Sequence, residues 1–174
     1  MTDWDARFLR GDELHGGLPS PPLPQAIAGL EPGTALDLAS GAGRHSLFLA
    51  ERGWRVHAID SSRVGIQRML DEAYRRKLAI EAEVADLESP RFEITRDYDL
   101  ICDFYFLHRP LFDQIRRHAR MFVAAIHVGT GRFLLEPGEL RRIFADWKIV
   151  HYREGESPES AHHHPTAELI TLRE

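Results

Sequence analysis

A chain of 174 residues with 43% hydrophobic side chains is long enough for one packed domain and short for two. Its 22 Lys and Arg stand against 27 Asp and Glu, a net charge of -5 with no basic stripe, so nucleic acid is not an expected partner. The longest apolar runs, such as MFVAAI at 121–126, are too short for a bilayer, the start MTDWDARFLRGDE has no signal core, and Cys102 is the single cysteine. These features predict a cytoplasmic protein without membrane association, in a reducing compartment.

In chain order, WDARFLRG predicts a short helix, stopped by the proline-rich GGLPSPPLP at 16–24, so residues 1–24 read as an arm or lid on a domain formed by residues 25–174. ALDLA predicts a strand, Arg44–Arg52 a helix and RVHAID a second strand. Ser61 or Ser62 can cap the next helix, in which Val64, Ile66, Met69, Leu70, Ala73 and Tyr74 recur at helical spacing. IEAEVAD is the third strand and YDLICDFYF the fourth. Pro110 suits the first turn of a helix over PLFDQIRRHA, which runs directly into the strand MFVAAIHV. EPGELRRIFADW carries acidic residues early and arginines later, as a helix dipole prefers, and precedes the strand KIVHYRE. The polar loop GESPESAHHHP then leads into AELITLRE. Alternating strands and helices predict a mainly parallel sheet with helices on both faces, and the last two strands, joined only by a loop, an antiparallel edge hairpin.

The turn after the first strand holds Gly41 and Gly43, which let backbone approach a ligand at the carboxyl end of the sheet, where α/β domains bind. Structural turns use glycine too, and three carboxylates sharpen the reading. Asp60, at the end of the second strand and 17 residues after Gly43, is placed to accept two ribose hydroxyls, as in NAD-binding domains. Asp86, past the third strand, is placed to accept from an adenine amino group with Leu87 against the ring. Asp37 precedes the glycines, where it would repel a pyrophosphate and tolerate a cation, or brace the loop as an N–H acceptor. Ser46 stands where the dinucleotide fingerprint has a third glycine. An adenosine with a cationic tail and no phosphate fits, and S-adenosylmethionine is such a ligand.

The motifs ALDLASGAGRHS, HAIDSS, VADLES and YDLICDFYF, in this order, resemble the cofactor motifs of class I S-adenosylmethionine-dependent methyltransferases. The resemblance implies an α/β Rossmann-like methyltransferase fold with a mainly parallel seven-stranded sheet. It implies the Gly41–Gly43 loop at the methionine portion, Asp60 on the ribose, Asp86 and Leu87 at the adenine, and Asp103 or Phe104 near the methionine amino group. Asp37, Ala39, Arg44 and Ser61 complete the cofactor-binding set, and S-adenosylhomocysteine is the implied product. At the ends of the chain, WDARF, PSPPL, GRHSL and EPGELRRIFADWKIVHYREGE are similar to the tellurite-resistance (TehB-type) methyltransferases, which implies a small-molecule acceptor such as tellurite, selenite or a small thiol.

Methyl transfer needs no metal, and none is expected; a base helps where the acceptor carries a proton. His108, His127 and the run His162–His164 are the candidates, with His127 and His163 favoured as catalytic. Arg109, Arg116, Arg117, Arg120 and Arg132 surround this region and could draw an anionic acceptor. The brief connection after the fifth strand also fits a protein that binds the cofactor without catalysis, as a sensor or partner subunit.

Overall fold

The computed structural model describes residues 4–10, 17–157, 159 and 164–174. Buried, largely apolar runs form the middle of the sheet. β1 (Thr34–Leu38), β4 (Tyr98–Phe104) and β5 (Ala119–His127) are almost wholly buried, as parallel strands covered on both faces must be. β2 (Arg55–Asp60) and β3 (Ile80–Val84) extend the sheet on one side; β7 (Thr166–Leu172) and β6 (Lys148–Gly155) extend it on the other. The strand order is β3-β2-β1-β4-β5-β7-β6. Five strands are parallel, while β7 runs antiparallel to both β5 and β6, which is the edge hairpin expected from the sequence. The outer strands β3 and β6 have only one or neither face covered.

Alternation along each strand sorts the core into two sides. Ala35, Val56, Leu100, Cys102, Val123 and Ile170 meet α2 (Pro22–Ile27) and α3 (Arg44–Ala50), and Ala58 on the same face meets Ile66 and Met69 of α4 (Arg63–Arg75). Leu36, Ile101, Phe122 and Leu169 face α5 (Pro110–His118) and α6 (Glu139–Ile143). There Phe122 stacks on Phe144 at 4.9 Å, and Phe112 and Trp147 meet Phe144 edge-on. Cys102 is fully buried core, as its apolar strand implied. α1 (Trp4–Leu9) lies outside these layers.

Two elements differ from expectation. The proline-rich connection contains α2, because prolines at its first turn need no N–H partners and Leu23 and Ile27 face the core. The segment EPGELRRIFADW keeps only five helical residues. Beyond Ile143, Phe144 and Trp147 both turn inward, and the Ala145 and Trp147 N–H groups donate to carbonyls three residues back, so the coil tightens and ends.

Candidate cofactor and acceptor site

Reversal of strand order between β1 and β4 opens a crevice at their carboxyl ends. The chain crosses it in a turn where Ala39 (φ 55°), Gly41 (φ 55°) and Gly43 (φ 83°) are left-handed. A Cβ on Gly43 would lie 2.2 Å from the Met69 side chain, so α4 packs against a position that only glycine fills easily. Ser62 caps α4 by accepting the Gly65 N–H at 3.0 Å.

Asp60 organises this turn. The Gly41 N–H donates to its Oδ2 at 2.8 Å and the Ser62 N–H to its Oδ1 at 2.7 Å. Each oxygen keeps a second lone pair. Burial raises the Asp60 pKa despite these donors, and Asp5 nearby adds to the rise. Ser61 and Asp86 are exposed on the same rim; Asp86 Oδ1 accepts the Glu88 N–H.

The two atoms that most clearly ask for a ligand are Ser40 Oγ and Asp103 Oδ1. Both are buried, and neither has a hydrogen-bond partner among the described residues. Asp103 pairs in register with Leu38, two residues before Ser40, so the two groups flank the crevice. Burial pushes the Asp103 carboxyl well above the usual range; the Phe106 N–H offsets this in part, and Asp37 adds to it. Desolvated groups of this kind cost stability until a donor or a cation reaches them.

Several side chains expected at the cofactor are engaged within the protein. Asp37 faces α3, where it accepts the Ser46 hydroxyl at 2.6 Å, with the Cys102 thiol at 3.5 Å. It braces the turn through a side chain, and Ser46 fills the third-glycine position because this bond needs it. Burial raises the Asp37 pKa to about 6. Phe104 stacks on His45 at 3.9 Å inside the core. Leu87 is also core, on the α5 side. Arg44 is committed to Glu159 at 2.6 Å and to Ser20 Oγ at 3.0 Å.

That last contact belongs to a clasp at the other half of the rim. Glu159, in the β6–β7 loop, accepts from Arg44, from the Ser20 hydroxyl at 2.6 Å and from the Tyr105 hydroxyl at 2.6 Å. Burial works to raise its pKa, but the donors from Arg44, Ser20 and Tyr105 outweigh it and the net direction is down. Tyr105 leaves the strand in a left-handed conformation (φ 65°), and its ring lies 5.1 Å from His127, which faces His164 at 5.7 Å. Burial, followed by His164, lowers the His127 pKa and keeps the imidazole neutral at neutral pH. Thr166, paired with His127 across the sheet, buries a hydroxyl with no partner among the described residues. His162 and the second predicted base, His163, lie outside the described residues.

The arginines expected to draw an anion are mostly engaged. Arg109 holds Glu139 at 2.6 Å, Arg116 holds Asp146 at 2.7 Å and Arg120 holds Asp99 at 3.4 Å. Arg117 donates to the Asp113 carbonyl, and Arg132 lies over the Phe133 ring. No cluster of metal-ligating side chains occurs among the described residues, and no described helix is long and apolar enough to cross a membrane. A cavity of about 500 Å³ lies between the sheet and the 85–97 connection, lined by His57, Ile59, Phe92 and Tyr98 among others, and it reaches the rim at Asp86. It includes none of the glycine turn.

Sheet order, edge hairpin and glycine turn together define a Rossmann-like methyltransferase fold. The model of the tellurite resistance protein TehB family matches residues 22–166, and the chain belongs to that family. It superposes on TehB from Haemophilus influenzae with a TM-score of 0.80 at 19% identity, over 97% of this chain and 66% of that one. On magnesium protoporphyrin IX methyltransferase from Synechocystis, solved with bound S-adenosylmethionine, the TM-score is 0.69 at 16% identity, over 96% of this chain and 91% of that one. Hemagglutinin 1 of Eikenella corrodens is 29% identical over 148 residues, 75% of this chain and 49% of that protein. The chain therefore spans about half the length of that relative and about two thirds of the Haemophilus chain.

Proposed function

We propose that the chain is an S-adenosylmethionine-dependent methyltransferase for a small acceptor, an oxyanion such as tellurite or selenite or a small thiol. The observation that carries this reading is the pair of orphaned buried atoms, Ser40 Oγ and Asp103 Oδ1, at the switch point of a chain in this family. Two desolvated carboxylates, Asp60 and Asp103, border the crevice, so a cation is favoured over the pyrophosphate of a dinucleotide. Asp103 and Ser40 suit the amino-acid portion, the free lone pairs of Asp60 the ribose hydroxyls, and Asp86 with Ser61 the adenine edge.

Bound S-adenosylmethionine would supply a methyl group already activated by its sulfonium. What the chain adds is alignment, exclusion of water and a place for a proton. The neutral imidazole of His127 suits the last role, held by Tyr105 and facing His164. Non-catalytic cofactor binding is the alternative, and one observation favours it: the guanidinium groups of Arg109, Arg116 and Arg120 are spent on carboxylates.

The test is calorimetric titration with S-adenosylmethionine, S-adenosylhomocysteine and NADH, followed by labelled methyl transfer to selenite, tellurite and small thiols. Binding of the first two alone, with label in one acceptor, is the expected result. His127→Ala should then slow transfer by about a hundredfold with cofactor affinity unchanged. Binding without transfer to any acceptor selects the non-catalytic reading, and binding of NADH alone overturns both.

A further inference from the structure

The six-residue helix α1 contributes no buried side chain of its own, and Trp4 and Leu9 leave 41% and 69% of their surface in solvent. So short a helix does not hold itself in water and is folded only while docked. Its dock is not an arbitrary part of the surface. Asp5 Oδ1 accepts the Ser62 hydroxyl at 2.5 Å and the Val64 N–H at 3.1 Å, which sets it at the start of α4. The Phe8 ring lies over Gly41 and Gly65, with its edge 3.0 Å from where a Cβ on either glycine would stand.

These anchor points are also the groups that shape the Asp60 carboxylate. Ser62 donates its N–H to Asp60 and its hydroxyl to Asp5; Gly41 donates its N–H to Asp60 and carries Phe8. Asp5 is close enough that its charge raises the Asp60 pKa. A docked α1 therefore brings a second carboxylate beside the first, an arrangement that repels itself when empty and is relieved when ribose hydroxyls donate to Asp60. Ser20, eleven residues beyond Leu9, is pinned to Glu159 and His45.

We propose that α1 is the closing wall of the nucleoside site, with Asp5 and Phe8 as cofactor-retaining residues. The inference rests on the cofactor reading above and adds to it where the ligand is enclosed and what holds it. A wall that closes over a bound ligand slows its escape, whereas a plug competing for the same space would be displaced by it. The two have opposite signatures in affinity and in dissociation rate.

Stopped-flow and calorimetric binding of S-adenosylhomocysteine to the full chain, to Phe8→Ala and to Asp5→Ala distinguishes them. Each variant should weaken binding by about tenfold, mostly through faster dissociation. Hydrogen exchange should show the amides of α1 gaining protection on addition of S-adenosylhomocysteine to the unaltered chain. Since α1 contributes no fully buried side chain to the core, thermal unfolding of Phe8→Ala should stay close to that of the parent, which separates a local effect from loss of the fold. Equal affinity in parent and variants, or tighter binding by the variants, overturns the closing wall and leaves the cofactor reading standing. Failure of the unaltered chain to bind removes the cofactor reading and this inference with it.

Discussion

The two halves of the carboxyl rim treat charge in opposite ways. Around β1, β2 and β4, burial raises the pKa of Asp37, Asp60 and Asp103, and Asp103 leaves one oxygen unpartnered. Toward β6 and β7, Glu159 is just as much part of the fold, yet Arg44, Ser20 and Tyr105 satisfy it and its pKa falls. A carboxylate that the protein itself neutralises is a structural clamp. Carboxylates held toward their neutral form beside a crevice are a site for something positive. In the proposed function the first half takes the ligand's cationic part and the second holds the loop beside His127.

The largest effect that would break this comparison comes from Asp60. Asp60→Ala removes two acceptors offered to the ribose and also those of the Gly41 and Ser62 N–H groups. At about 1.5–3 kcal/mol for each hydrogen bond to a charged group, cofactor affinity should fall by at least roughly a hundredfold, with a lowered melting temperature. A variant that binds as the parent does would place the ligand elsewhere on the rim.

Asp37 provides a smaller effect with a definite sign. Its pKa, pushed up to about 6 from the ordinary aspartate range, means that the folded state holds a proton more tightly than the unfolded chain. Stability from this group is therefore greatest below about pH 4 and is lost as the pH rises through about 6, by roughly 3 kcal/mol at about 1.4 kcal/mol per pKa unit. Asp37→Asn keeps an acceptor for Ser46 and should flatten that part of the stability profile in chemical denaturation between pH 4 and 7. An unchanged slope would mean that Asp37 carries no such burden.

How much of this was legible depended on distance along the chain. β2 runs over the residues read as RVHAID, and β1, β4 and the glycine turn follow from local apolar runs and punctuation. The sense of the edge hairpin followed from the shortness of its connection. The Ser20–Glu159 and Arg44–Glu159 contacts join residues 139 and 115 positions apart, and no spacing rule reaches that far. Side-chain direction was the other obstacle. Successive residues of a strand face opposite ways, and only the packed sheet shows that Phe104 turns toward His45. Ser40 and Thr166 look ordinary in sequence, and burial without a partner is what marks them.

Glu159→Gln is the mildest of these changes and tests the other half of the rim. The amide keeps one oxygen for Ser20 and Tyr105 but sets an N–H₂ group against Arg44, so a charge pair with side chains only 12% and 16% exposed is lost. Because the pKa of Glu159 is lowered in the fold, its stabilisation is present above the ordinary glutamate range and disappears as the pH falls through the folded value, opposite to Asp37. The substitution should cost about 1 kcal/mol at neutral pH and nearly nothing in acid. Tyr105 would lose its tether while the Asp60 side of the crevice stays intact, so KM for the acceptor should rise with S-adenosylhomocysteine affinity unchanged. Equal loss of both affinities would show that the clasp serves the whole rim and that the two halves do not act separately.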